Sequence, residues 1–112
     1  MLNALVIDSS PDFCEHMFNL LESAGFNVDT AKTGGEGLVK AAAGKYRLVC
    51  CSDNLSDYAS SEFCSQLRAL KGYDFATLLV LTEHDNSKIL KQALLAGATD
   101  IFSKSDMSEM DT

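Results

Sequence analysis

Short apolar runs alternate along this chain with segments whose apolar residues recur at three- and four-residue steps, and that alternation restricts the fold more than any other feature. A strand covered on both faces reads as an unbroken apolar run, whereas a helix packed on a sheet carries one apolar stripe. The pattern therefore predicts parallel strands joined by crossover helices, a doubly wound α/β sheet of five strands.

The first strand is expected over Ala4 to Ile7, ended by Asp8, Ser9 and Ser10. A helix follows, with Ser10 as cap, Pro11 in its first turn, Phe13, Met17, Leu20, Leu21 and Ala24 facing inward, and Gly25 as its stop. A weaker strand covers Asn27 to Ala31, and "TGGEG" at Thr33 to Gly37 reads as the turn into a second helix, since it lacks the lysine and hydroxyl of a phosphate loop. That helix carries Leu38, Ala41 and Ala42 inward and closes at Gly44. The third strand is Leu48 to Cys51, and the third helix is marked by Phe63, Leu67 and Leu70. The fourth strand is Leu78 to Leu81, and the fourth helix is capped by Ser87, has Ile89, Ala93 and Ala96 at helical spacing, and is followed by Gly97. Ile101 and Phe102 form a short last strand. A fifth helix beginning near Asp106 has room for fewer than two turns, so the chain is expected to continue or to be covered there by a partner.

A length of 112 residues allows one compact domain, taken here as residues 1–112, without a linker or repeat. Nine Lys and Arg against sixteen Asp and Glu give a net charge of −7, which repels nucleic-acid backbones and anionic membranes, so direct nucleic-acid binding and membrane association are not expected. No basic stretch precedes the first apolar run, and the reading is a cytoplasmic protein. Cys14, Cys50, Cys51 and Cys64 show no metal or redox spacing and read as reduced thiols, with Cys50 and Cys51 on opposite sides of a strand. His16 and His84 stand alone and receive no catalytic role.

Ligands of open α/β sheets bind beyond the carboxyl ends of the strands, which brings forward Asp8, Ser9, Ser52 to Asn54, Thr82 and Lys104. With these positions in order, "ALVIDSS", "YRLVCCSDNLSDYASSEF", "LLVLTEHD" and "GATDIFSKS" resemble the receiver domains of bacterial two-component response regulators over nearly the whole chain. The resemblance implies a flavodoxin-like topology and a site for phosphoryl transfer from a kinase histidine to an acceptor Asp, assisted by Mg²⁺. Carried over residue by residue, Asp8 matches the first acidic position, Ser9 replaces the second carboxylate, and Ser52 replaces the acceptor. Asn54 matches the position two residues on, Thr82 the switch hydroxyl, Phe102 the switch aromatic and Lys104 the phosphate-binding lysine.

Asp53 is a carboxylate one place from the acceptor position, but choosing it spoils the match on both sides and turns its side chain to the other face of the strand. It is carried as the alternative acceptor. An intact site of three carboxylates and a lysine sums to about −2, whereas Asp8 with Lys104 sums to about zero, so Mg²⁺ binding is expected to be weak or absent. The Ser52 hydroxyl has no histidine base in the motif. The expectation is a non-enzymatic pseudo-receiver that binds a protein partner or a linked effector domain, with a histidine kinase and a second copy of the chain as further partners.

Overall fold

The computed structural model describes residues 2–83 and 87–109. The elements run β1 (Asn3–Ile7), α1 (Pro11–Ser23), β2 (Asn27–Ala31), α2 (Gly34–Ala43), β3 (Leu48–Ser52), α3 (Ser60–Ala69), β4 (Thr77–Thr82), α4 (Ser87–Leu95), β5 (Asp100–Ser103) and α5 (Lys104–Glu109). All strand pairs are parallel, in the order β2-β1-β3-β4-β5. This is the doubly wound sheet expected from the alternation, in the flavodoxin-like topology that the resemblance implies, with a short last helix.

The two faces of the sheet bury different side chains. Leu5, Ile7, Val49, Cys51, Leu78 and Val80 face a core with Ala41 of α2, Phe63 and Leu67 of α3 and Ala93 of α4. Ala4, Val6, Cys50 and Leu81 face the other way, onto Cys14, Met17 and Leu21 of α1 and Met107 of α5. Alternation along β3 thus sends Cys50 and Cys51 into separate cores, as their adjacency requires. All four cysteines are free and buried. Among the described residues no helix is long and apolar enough to cross a membrane.

The α1 boundary follows its chemistry. Ser10 Oγ accepts a hydrogen bond from Phe13 N at 3.3 Å, and Pro11 occupies the first turn, where its missing N–H is harmless. Thr33 caps α2 in the same way through Glu36 N at 3.1 Å. Gly37 then lets α2 lie close on the sheet, because a Cβ there would stand 2.5 Å from Ile7 Cδ1.

Several inward assignments are corrected. Ala24 is exposed as the C-cap of α1, and Cys14 takes its place on the buried stripe. Ala42 is exposed, since the glycines Gly34 and Gly37 form the contact face of α2 with Ala41. Ile89 is half-exposed, so α4 is held mainly through Ala93. Ser87 is the first helical residue of α4, and residue 86 before it lies outside the described residues, as does His84. The last helix begins at Lys104, two residues before Asp106, because β5 hands over to it directly.

Candidate functional site

The carboxyl ends of β1, β3, β4 and β5 bring Asp8, Ser52, Thr82 and Lys104 together as the buried polar groups of this end of the sheet. Lys104 Nζ lies 2.7 Å from Asp8 Oδ2, with only 9% and 4% of the two side chains exposed. Asp8 Oδ1 accepts from Ser10 N at 3.0 Å, which ties the carboxylate to the start of α1. Apart from the ammonium, Asp8 Oδ2 has no hydrogen-bond donor among the described residues, so Lys104 is its compensation there. The ammonium also sits 4.9 Å from the centre of the Phe13 ring and 3.8 Å from the exposed Glu83 carboxylate. Sequence reasoning missed Phe13 and Glu83 here, although Glu83 directly follows the switch threonine.

Ser52 is buried at the last residue of β3, and its Oγ accepts from Asn54 N at 3.1 Å, closing the turn after the strand. Ser9 is exposed. Asp53 continues the β3–β4 ladder through its N–H to Leu81 O at 3.0 Å, and its Oδ2 accepts from Thr82 Oγ1 at 2.5 Å. The register explains this partition. Val6 pairs with Cys50 and Cys51 with Val80, so alternation puts Asp8 and Ser52 on the α1 face and Asp53 with Thr82 on the α3 and α4 face. Phe102, opposite Leu81 in β5, is 38% exposed.

The profile of response regulator receiver domains matches residues 4–111, nearly all of the described fold. The chain belongs to this family. Solved receivers agree with it in fold. The chemotaxis response regulator CheY4 of Vibrio cholerae superposes with a TM-score of 0.86 at 24% identity, over 98% of this chain and 95% of that one. A two-component response regulator from Clostridium difficile gives 0.83 at 25% identity, over 90% and 81%. A response regulator from Burkholderia pseudomallei, solved with a phosphorylated aspartic acid, calcium ion and citrate, gives 0.89 at 27% identity over 99% of this chain and 64% of that one. The comparison with curated protein sequences found no match.

In this receiver domain the loop after β3 is braced by a contact that sequence reasoning did not find. Asp57 Oδ1 and Oδ2 accept from Gly34 N and Gly35 N, each at 2.9 Å, so the loop supplies the anion at the N-terminus of α2. These bonds, led by that from Gly35, hold the Asp57 carboxyl below the usual aspartate range. The "TGGEG" turn of this receiver is therefore filled by the protein's own carboxylate. On the buried side, desolvation pushes the Cys50 thiol up to about 12 and the Cys64 thiol up to about 11. His16 contacts the Met107 carbonyl at 2.9 Å and links α1 to α5.

Proposed function

We propose that this receiver domain of the two-component response-regulator type is a non-enzymatic regulatory module that binds a protein partner without a phosphoryl trigger. The observation that carries this reading is the buried Asp8–Lys104 pair beside Ser52. The buried carboxylate and the buried ammonium cancel each other, and Ser52 Oγ already accepts from Asn54 N. This donor set does not fit a hard divalent cation, which takes several oxygen ligands and favours carboxylates. Ser52 is also a weak nucleophile without a base, and a serine ester lacks the lability of an acyl phosphate.

The binding surface in this reading is the flank of α4, β5 and α5. Leu94 and Leu95 of α4 and Phe102 of β5 are exposed there at 49%, 79% and 38%, apolar groups that a partner can cover. The partner is a linked effector domain, a kinase or a second copy of the chain.

A second reading rests on the contact between Asp53 and Thr82, which puts a carboxylate against the switch hydroxyl. In that reading Asp53 is the acceptor. Intact-mass measurement after acetyl phosphate and Mg²⁺ treatment separates the two. The first reading expects no adduct, and a hydroxylamine-labile adduct that disappears in Asp53→Ala would replace it with the second.

A further inference from the structure

Two cavities of about 400 and 470 Å³ adjoin at the end of the sheet where the strands begin, opposite the Asp8–Lys104 pair, and share Tyr46, Arg47 and Gly72 as a common wall. Both volumes lie in the range of small-molecule sites. Their chemistry divides between them. The larger is lined by Lys45, Arg47 and Lys71 and by no acidic side chain. The smaller adds Phe75 and a single carboxylate, Asp74. Three of the nine basic residues of a chain with net charge −7 are thus gathered at one edge, and none of the three has an ion-pair partner among the described residues. A local positive patch of this kind attracts a small anion even where the whole molecule repels a polyanion.

The loop that presents Asp74 and Phe75 is built rather than loose. Arg68 Nη1 donates to Tyr73 O at 2.6 Å and to Ala76 O at 2.8 Å, so one guanidinium holds both ends of the turn. The same side chain reaches Gly97 O at 2.9 Å. Tyr73 is fixed by its hydroxyl, which donates to Ala41 O at 2.6 Å. Tyr46 donates to Asp29 Oδ2, also at 2.6 Å. Gly72, at φ +91° and with open space where a Cβ would stand, turns the chain into the loop without narrowing the shared wall. Between these anchors the Phe75 side chain is 99% exposed, beside the unpaired Arg47.

We propose that this edge binds a guanine nucleotide, with its phosphate against Lys45, Lys71 and Arg47 and its base stacked on Phe75. Lysine and arginine are the side chains that hold phosphate, and an exposed ring on an anchored loop offers a stacking platform with little ordering cost. Asp74 supplies the selectivity. A carboxylate presents two acceptor oxygens, which match the adjacent N1–H and N2–H₂ donors of guanine, whereas uracil offers a single imide N–H.

Amide NMR titration of the full chain with GMP, UMP and inorganic phosphate tests this. GMP should shift Lys45 to Arg47 and Gly72 to Ala76, with UMP about ten-fold weaker and phosphate weaker still. Phe75→Ala, through lost stacking, and Asp74→Asn, through lost hydrogen bonds to a charged acceptor, both at exposed positions, should each weaken GMP about ten-fold while leaving the remaining spectrum unchanged. The absence of shifts at millimolar GMP, equal affinity for GMP and phosphate, or GMP shifts confined to the Asp8 and Lys104 end would each overturn the assignment.

Discussion

Lys104 Nζ and Asp8 Oδ2 form a 2.7 Å ion pair inside the carboxyl end of the sheet, where among the described residues Lys104 is the ion-pair partner of the buried carboxylate. Removing one partner of such a pair leaves a buried charge alone, at a cost of about 3–5 kcal/mol, whereas an apolar pair of similar volume is often neutral or better. Lys104→Met should therefore destabilise the domain by an amount in that range. The double variant Asp8→Leu with Lys104→Met should recover most of the loss in urea unfolding. A Lys104→Met protein as stable as the wild type would show that the pair contributes nothing.

The hydroxyl of Thr82 and the carboxylate of Asp53 should be coupled by about 1 kcal/mol, since one hydrogen bond joins them at a half-buried site. A double-mutant cycle with Thr82→Val and Asp53→Asn measures that coupling. Additive effects of the two substitutions would mean that the hydrogen bond is not formed in solution.

Asp57 gives the domain an acid-sensitive brace. Its carboxyl is held below the ordinary range, first by the bond from Gly35 N, so its contribution is present above the unfolded-state pKa and is lost as pH falls through the folded one. Protection of the Gly34 and Gly35 amides, taken relative to their intrinsic exchange rates, should fall through that acid window. Asp57→Asn should abolish the transition; an unchanged pH profile in the variant would assign it to another group.

Cysteine reactivity offers an independent check on the core. With Cys50 pushed up to about 12 and Cys64 to about 11 by burial, almost no thiolate is present near neutral pH. A disulfide reagent should titrate these thiols only after denaturation. Rapid labelling of either in the native protein would contradict the packing of β3 and α3.

Most of the fold was legible because strand runs and helix stripes are local signals. The Ser10 cap, the β2 bounds and the turn at Thr33 all follow from side chains a few residues apart. The errors have a common origin in three-dimensional packing. Ala24 and Ala42 sit at helical spacing, but the contact faces are set by Cys14 and by the glycines that let α2 approach the sheet. The strand-end residues Asp8, Ser52, Thr82 and Lys104 were identifiable from order alone, since parallel strands bring their carboxyl ends together. The Asp57 brace and the Arg68 clamp were not, because each joins segments distant in sequence through backbone groups that any residue carries.

In the proposed function, the pocket beside Lys104 neither retains a divalent cation nor responds to a phosphoryl group. Amide NMR spectra recorded with Mg²⁺ alone and with Mg²⁺ and beryllofluoride test it most directly. Superimposable spectra at Asp8, Ser52, Thr82 and Phe102 are the expected result. Saturable shifts at these residues that require both Mg²⁺ and beryllofluoride would contradict it.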